Sequence, residues 1–576
     1  LYTEDKTISI LNPAAEDLAT IVIPYNGKET VTDFKAWLYD ATGTLVNQFS
    51  KRNAQDFSNN GENEITDDRV KVWQLNTINP PFTIHYVYQL ELHNTFFMPR
   101  WQPAYTANTS IENAGFRLIN SAKTAVNVKA SNCRESTAEE NTRKWEIRNL
   151  KALKETNYSP PVSLGMPKVI VMLKEFELYG NTGMADSWNS LGTFINTLNQ
   201  GRDENTTLTD PQIDNALKGA ESKREKVGRL YHYLQNNFHY VSIQKGLGGW
   251  QPQTAAYTFG KKFGDCKALT IEMKALLKKA DIESYYTLIN TNDDRVELNE
   301  AFPHSYFNHV ILCVPLPNDT IWLECTSANN PAGYLGSFTE NRNALLIFNQ
   351  GARIIHTPAY TETANTSTSN SEINLGADNI THIKTTLIRT GELQERLRGA
   401  FLDKDDKIIE SVIYKNIRSA NTKIESFKTI EISQASPLVS TYIELSNQST
   451  IKKTASRLFV KTDILKPQVS LPDKSENRNL PIEIETGFTQ TDTMVYNLGS
   501  LYEPENFERT HTEKVVSDFG HATVGIEYNS ETGQLKVSRN FCLKEGSYEP
   551  ARFKDFNDFM AHAMKVCCPD LVLKYR

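Results

Sequence analysis

Cys266 is the cysteine whose neighbours are best suited to chemistry. It follows Asp265, and Leu269, Met273 and Leu276 come after it at the spacing of one helix face. With Asp265 as the cap, Cys266 falls in the first helical turn, where free backbone N–H groups and the helix dipole favour a thiolate over a thiol. Most free cysteines instead pack as small hydrophobic groups, so position alone leaves both roles open.

His309 and Glu324 are the candidate partners of Cys266. A nucleophilic thiolate needs an imidazole beside it, and the imidazole needs an acceptor that orients it. Both residues lie in strand-like segments, residues 307–314 and 320–326. Taken singly, each is more often an ordinary strand residue. The order Cys, His, acid on a helix and two neighbouring strands predicts a catalytic triad.

The register between these two segments decides whether the histidine and the acid can meet. A four-residue loop at 315–318 would pair Val314 with Asp319 and place His309 opposite Glu324, on the same face of the sheet. A loop one residue longer or shorter would put the two side chains on opposite faces. The triad hypothesis therefore depends on the loop length.

Three other residues are weaker candidates for the same site. His304 is an alternative imidazole, but it follows Pro303 outside the strand-like segment. Trp250 and Gln251 precede the helix and could donate an indole or amide N–H to an oxyanion. An aromatic residue in a Gly-Gly-Trp turn is more often a packing anchor, so this oxyanion or substrate-binding assignment stays open.

Composition limits the classes of function. The chain has 576 residues, 39% hydrophobic and 23% charged, with a formal charge of -7. This length predicts several domains, and the absence of a basic, aromatic-rich run argues against a nucleic-acid partner. No apolar run is long enough for a transmembrane helix. The seven cysteines show no paired CxxC spacing, so we expect no metal or other cofactor.

The elements around the candidate site fall into three regions. Residues 1–180 show period-two alternation, clearest at 82–92, which predicts a β-sandwich domain. Residues 181–362 show helical periodicity first and strands afterwards, typical of an α+β domain. Residues 363–576 are predicted to be β-rich and to end in a helix that packs through Phe556, Phe559 and Met560. The small, polar stretch at 361–371 predicts an inter-domain linker.

Several motifs resemble the transglutaminase-like superfamily, which has a papain-like thiol core. They are Gly264-Asp-Cys-Lys267, Asn308-His-Val310 and Trp322-Leu-Glu-Cys-Thr326. The chain as a whole resembles multidomain bacterial envelope proteins, in which this core lies between an N-terminal β domain of unknown function and a C-terminal β domain. The resemblance implies location in the periplasm or on the cell surface after removal of a signal peptide, and a peptide or protein substrate.

The sequence departs from that family at two positions. The family's usual acid is Asp followed by Pro-Thr, whereas Glu324 is followed here by Cys325-Thr326, and Ala268 stands where related sequences often have Asp. Two functions are therefore compatible with the sequence. One is thiol-dependent acyl transfer on amide bonds, by hydrolysis or by cross-linking. The other is a weakly active or inactive scaffold that binds protein or glycan through its β domains. The oligomeric state is not determined by the sequence.

Overall fold

The structure is a computed structural model of a multidomain, β-rich protein with 43% strand and 21% helix. It describes residues 1–576 except 62, 76–77, 206–207, 293–297, 377–379, 418–419, 466, 468, 473–477 and 506–509. Short 3-10 helices occupy Pro13–Ala19, Lys51–Asn53, Gly246–Gly249, Gly391–Gln394 and Pro550–Arg552.

Strands dominate the N-terminal region. They are β1 (Tyr2–Ile10), β2 (Thr20–Tyr25), β3 (Thr30–Tyr39), β4 (Leu45–Ser50), β5 (Gln55–Ser58), β6 (Glu64–Thr66), β7 (Arg69–Gln74), β8 (Phe82–Glu91), β9 (Ile111–Ile119), β10 (Val126–Ser131), β11 (Arg134–Glu139), β12 (Thr142–Leu150), β13 (Lys168–Leu173), β14 (Glu175–Leu178) and β15 (Asn181–Met184). One short helix, α1 (Val162–Gly165), interrupts them.

Two N-terminal sheets share one apolar core. A four-stranded sheet has the order β1-β8-β3-β4, and a three-stranded sheet has the order β2-β7-β5. Phe34 of the first sheet stacks on Trp73 of the second, with 3.7 Å between ring centroids. The alternation predicted in the region of β8 is confirmed, because Phe82, Ile84 and Tyr86 are buried.

The middle region combines helices with one antiparallel sheet. Its elements are α2 (Trp188–Asn199), α3 (Pro211–Leu217), α4 (Lys223–Asn237), β16 (His239–Tyr240), β17 (Ser242–Gln244), α5 (Ala255–Lys261), β18 (Phe263–Gly264), α6 (Cys266–Lys279), β19 (Tyr285–Ile289), β20 (His309–Leu316), β21 (Asp319–Leu323), β22 (Asn343–Phe348) and β23 (Gly351–His356). The five-stranded sheet has the order β21-β20-β19-β22-β23.

Helix α6 packs along this sheet and so fixes where its own first residue lies. Leu269, Met273 and Leu276 belong to a buried cluster that also contains Leu312 and Val314 of β20. The predicted apolar face of this helix is confirmed. Since α6 begins at Cys266, the packing holds that residue beside the start of β20.

The predicted four-residue loop between β20 and β21 is wrong. The strands continue until Leu316 pairs with Asp319, and Val314 pairs with Ile321 rather than with Asp319. Asn318 adopts the left-handed conformation, at φ 65°, which allows a turn of only two residues. Since side chains alternate with period two, a shift of two residues keeps every side chain on the predicted face.

The C-terminal region is built on an eight-stranded sheet. The strands of the whole region are β24 (Thr366–Leu375), β25 (Thr381–Thr390), β26 (Thr422–Ile432), β27 (Leu438–Asn447), β28 (Ile451–Lys453), β29 (Arg457–Lys461), β30 (Ile482–Ile484), β31 (Phe488–Asn497), β32 (Tyr502–Pro504), β33 (Thr510–Ser517), β34 (Gly520–Asn529), β35 (Gln534–Leu543), β36 (Gly546–Tyr548) and β37 (Asp570–Tyr575). Its helices are α7 (Glu395–Asp403), α8 (Asp406–Asn416) and α9 (Phe553–Cys567). The large sheet has the order β26-β27-β25-β24-β31-β35-β34-β33.

The predicted linker at 361–371 is also wrong. From Thr366 onward the chain forms β24, a central strand of the eight-stranded sheet. Ser367, Ser369 and Ser371 alternate with outward residues and are buried. The Ser371 hydroxyl donates to Thr385 at 2.9 Å, so these small polar side chains are accommodated through hydrogen bonds inside the sheet. Composition alone does not distinguish such a strand from a linker.

The predicted C-terminal helix is confirmed. Phe556, Phe559 and Met560 of α9 are buried, and Phe556 lies 5.1 Å from the Phe519 ring between β33 and β34. Cys567, at the end of this helix, is fully buried in the same core. Among the residues that the structure describes, no helix has the length and apolar character needed to cross a membrane.

Candidate functional site

Cys266 is the first residue of α6 and is 3% exposed. Asp265 caps the helix, and its carboxylate accepts a hydrogen bond from the Ala268 backbone N–H at 2.9 Å. Lys267 forms a buried ion pair with Asp265, which satisfies the second oxygen of the capping carboxylate. The helix start is thus held rigidly, and the thiol is presented from its first turn.

His309 and Glu324 are in direct contact. The Nε2 atom of His309 lies 3.0 Å from one carboxylate oxygen of Glu324 and 2.9 Å from the other. His309 is the first residue of β20, and Glu324 follows the last residue of β21. Both side chains are buried. The structure therefore brings the predicted imidazole and acid together, although through a shorter turn than expected.

The environment favours an imidazolium–carboxylate pair. Burial alone would lower the pKa of His309, but the charge of Glu324 and a hydrogen bond with Cys266 raise it to about 10. Burial would raise the pKa of Glu324, but the His309 charge and hydrogen bonds from His309 and Thr326 keep it below its usual value. Since Nε2 faces Glu324, the other ring nitrogen, Nδ1, remains for Cys266.

Two threonines hold the carboxylate of Glu324. The Thr326 hydroxyl donates to it at 2.6 Å and the Thr326 backbone N–H at 3.2 Å, while the Thr339 hydroxyl donates at 3.3 Å. Neither threonine was predicted from the sequence. Thr326, two residues after the acid, could have been found from the local turn. Thr339 reaches the site only through the tertiary fold.

Tyr240 and Phe338 lie near the triad residues and were also missed. Burial and the nearby Cys266 and Asp265 raise the pKa of Tyr240 to about 12, although part of its side chain is exposed. The Phe338 ring contacts the His309 ring edge-on, with 5.1 Å between centroids, and is 49% exposed. Both aromatic residues therefore lie beside buried triad residues while part of each side chain is exposed to solvent.

Trp250 and Gln251 differ in what their side chains contact. The Trp250 ring packs edge-on against Phe96 at 4.7 Å and borders the buried cluster that contains Cys266. The Gln251 amide donates to the Leu198 carbonyl oxygen at 3.3 Å, so its N–H group is already engaged. Of the two, Trp250 is the better placed to face a ligand at Cys266.

His304 lies apart from the Glu324 carboxylate. It is buried, its Nδ1 lies 3.1 Å from the Phe302 carbonyl oxygen, and its ring packs beside Trp188. Burial lowers its pKa to about 4. This histidine is a neutral packing residue in the folded protein.

No metal centre accompanies the site in the described ranges of the chain, where no group of three or more His, Cys, Asp or Glu side chains is arranged to hold an ion.

Comparisons with known proteins find two partial family matches and similarity to solved structures. Residues 1–154 match the domain of unknown function DUF3857, and residues 456–573 match the domain of unknown function DUF3858. No curated protein matches the chain. A crystal structure from Parabacteroides distasonis, described as a "putative protease", is 11% identical, with a TM-score of 0.61 over 100% of this chain and 95% of the other. At this identity the likeness concerns the fold alone, so the chain shares its fold over its whole length with that protein.

Proposed function

We propose that the protein is a thiol-dependent enzyme that transfers acyl groups from amide bonds through Cys266, His309 and Glu324. The observation that carries this proposal is the buried His309–Glu324 pair, together with Cys266, which lies at a helix start and is a hydrogen-bond partner of His309. A cysteine in this position can exist as a thiolate paired with an imidazolium. A merely structural histidine would not need a carboxylate and a thiol on its two sides.

The proposed reaction begins with attack of the Cys266 sulfur on an amide carbonyl carbon. His309 gives its proton to the leaving amine, the C–N bond breaks, and an acyl thioester remains on the sulfur. Water or a second amine then attacks the thioester and loses a proton to His309, and the Cys266 sulfur leaves as the thiolate. The backbone N–H of Cys266 and the Trp250 indole are the donors we assign to the oxyanion.

The longer acid is compatible with this chemistry. Glu324 reaches Nε2 at hydrogen-bond distance while both of its oxygens accept further bonds from Thr326 and Thr339. The additional methylene therefore does not displace the carboxylate from the imidazole. This geometry favours a working triad over a decayed one.

We further propose that the regions flanking the triad form separate domains. We assign a β-sandwich to residues 1–180, a transglutaminase-like core to 181–362 and a β-rich domain to 363–576, with location in the periplasm or on the cell surface. The two partial family matches fall in the first and last of these regions, and the middle region contains the candidate triad. A peptide or protein substrate fits this arrangement, and the structural neighbour is described as a "putative protease".

A scaffold that binds protein or glycan is the second candidate function. The observation in its favour is that Cys266 is 3% exposed, so a substrate can reach the sulfur only after local movement. If this function is correct, the thiol is a packing residue and the flanking β regions do the binding.

Alkylation rates distinguish the two functions without knowledge of the substrate. At pH 6, iodoacetamide should modify Cys266 faster than the half-buried Cys133, although Cys266 is more buried, because a cysteine beside an imidazolium is a better nucleophile than a cysteine without such a partner. Burial raises the pKa of Cys133, which makes it the internal control. Peptide mass spectrometry measures both rates in one sample. Slower labelling of Cys266 than of Cys133 would favour the scaffold.

Turnover assays test the roles of the residues. Labelled casein, with and without a fluorescent primary amine, reports hydrolysis and cross-linking together. Cys266→Ala and His309→Ala should each abolish both activities, whereas Cys325→Ala, a buried cysteine next to the acid, should keep them. Equal activity in all three variants would exclude the proposed nucleophile.

A further inference from the structure

Two partly exposed aromatic side chains lie beside the proposed triad, and the reaction described above does not use them. The Phe338 ring contacts the His309 ring edge-on, with 5.1 Å between centroids, and is 49% exposed. Tyr240 pairs through its backbone with Gly264, two residues before Cys266, and is 42% exposed. One ring therefore lies beside the proposed base and the other beside the proposed nucleophile.

The segment that carries Phe338 is fixed on both sides of the ring. The Ser337 backbone N–H and the Ser337 hydroxyl each donate to Glu395 of α7 at 2.8 Å. The Thr339 hydroxyl donates to Glu324 at 3.3 Å. Because the backbone is anchored on both sides, the Phe338 ring is held next to the imidazole with about half of its surface uncovered.

A strand of the N-terminal region fixes the segment that carries Tyr240. Strand β17 begins two residues after Tyr240 and pairs in parallel with β6. The Ser242 backbone N–H donates to the Asn63 carbonyl oxygen at 2.9 Å. The Tyr240 phenol interacts electrostatically with Cys266 and Glu324, so it lies close to the triad. The second ring is thus also held in place at the site.

The charged side chains of the site are already paired. His309 is bound to Glu324, and Asp265 is bound to Lys267. A charged group on a substrate would therefore find no unpaired opposite charge among these four residues. Two uncovered rings instead favour contact with another ring or with a large aliphatic group, because water is released from the apolar surface of both partners.

We propose that Phe338 and Tyr240 select substrates that carry an aromatic or large aliphatic side chain next to the reacting amide. This inference rests on the proposed function, because the amide must lie between the Cys266 sulfur and the His309 imidazole. A side chain next to that amide can contact the Phe338 ring, which itself contacts His309. Substrates with a small or charged side chain at the same place should react more slowly.

Substituted iodoacetamides test this selectivity without a known substrate. The Cys266 sulfur displaces iodide, and the substituent on the amide nitrogen is held near the new S–C bond. The full chain is labelled at pH 6 with N-benzyl, N-methyl or N-carboxymethyl iodoacetamide, with glutathione in the same sample as the reference thiol. Relative to glutathione, the N-benzyl compound should label Cys266 about tenfold faster than the N-methyl compound does. The N-carboxymethyl compound should show no such gain.

Two outcomes separate a failure of this inference from a failure of the proposed function. If the N-methyl compound labels Cys266 faster than Cys133 but the N-benzyl compound has no advantage, this inference alone is overturned. If the N-methyl compound labels Cys266 more slowly than Cys133, the proposed function is overturned, and this inference with it.

Two variants and a matched control test the assigned residues. Phe338→Ala should reduce the N-benzyl preference at Cys266 by about threefold or more, since it removes one of the two ring contacts. Tyr240→Ala should also reduce it, and this variant decides if circular dichroism shows that Phe338→Ala does not fold. Phe57→Ala is the control, because that ring is 50% exposed in β5 of the N-terminal region, and it should leave the preference unchanged. An undiminished preference in the folded variants contradicts the proposal.

Discussion

Replacing Glu324 by Gln should change the charge of His309 at neutral pH. In the wild-type protein the pKa of His309 is about 10, because the Glu324 carboxylate and the Cys266 hydrogen bond outweigh the effect of burial. The amide keeps a hydrogen-bond acceptor but removes the negative charge. Burial then dominates, and the pKa of His309 should fall below 6.5, its ordinary value.

The size of this change follows from the two pKa values. A difference of about 3.5 pH units corresponds to a free energy on the order of 5 kcal/mol, at 1.36 kcal/mol per unit. Because the folded pKa is raised, the pair's contribution to stability through His309 is fully present below pH 6.5 and is lost as the pH rises toward 10. In the Glu324→Gln variant this decrease in stability between pH 6.5 and 10 should disappear.

Proton–carbon NMR of the histidine Cε1 positions measures the charge directly. The chain has 11 histidines, and His309→Ala identifies the signal of His309. Between pH 6.5 and 8.5 this signal should stay in its charged position in the wild type and in its neutral position in Glu324→Gln. Glu513→Gln, which removes the exposed partner of His562, should leave it unchanged. A wild-type midpoint near 6.5, or a charged ring at pH 8 in the Glu324→Gln variant, would refute the reasoning.

Three other predictions concern stability, each measured by denaturant unfolding. Gly192→Ala should lower the free energy of unfolding by about 1–3 kcal/mol, because the new methyl group would overlap Ala352. Gly228→Ala has open space around it and should raise the free energy of unfolding slightly. The reverse order would contradict the packing of α2 on β23. Arg539→Met should cost about 3–5 kcal/mol because it leaves the carboxylate of Asp492 buried without its cation, and a neutral effect would disprove that role. Burial raises the pKa of Glu272 to about 8, so the folded protein holds a proton that the unfolded chain releases above about pH 4.5, and stability falls with rising pH. Between pH 6 and 8 the free energy of unfolding of Glu272→Gln should therefore rise relative to that of the wild type by up to about 2.7 kcal/mol. A difference between the two proteins that stays constant with pH would contradict this sign.

The sequence alone determined the features that depend on local periodicity. The apolar face of α6 follows from residues three and four apart, and the cap at Asp265 follows from side-chain chemistry at a helix start. Alternation likewise identified the region of β8, where Phe82, Ile84 and Tyr86 are buried. These patterns are repeated over many residues, so a small error at an element's end does not destroy them.

Only the tertiary structure decided the contacts between distant segments. The turn at Asn318 is two residues shorter than predicted. His309 still contacts Glu324 because a register shift of two residues keeps each side chain on the same face of the strand. Thr339 contacts Glu324 from a separate loop, and no local sequence pattern predicts this contact.

The serines of β24 show most clearly that local composition does not determine the contacts of a segment. Their composition is that of a linker, yet as a central strand they place Ser367 beside Arg389, and the hydroxyls of Ser369 and Ser371 donate hydrogen bonds inside the sheet. The sequence therefore determined which residues could do chemistry and which elements carry them. Which polar groups are paired or unpaired in the interior was decided by the fold, because burial and neighbours across the sheet depend on residues far apart in the chain.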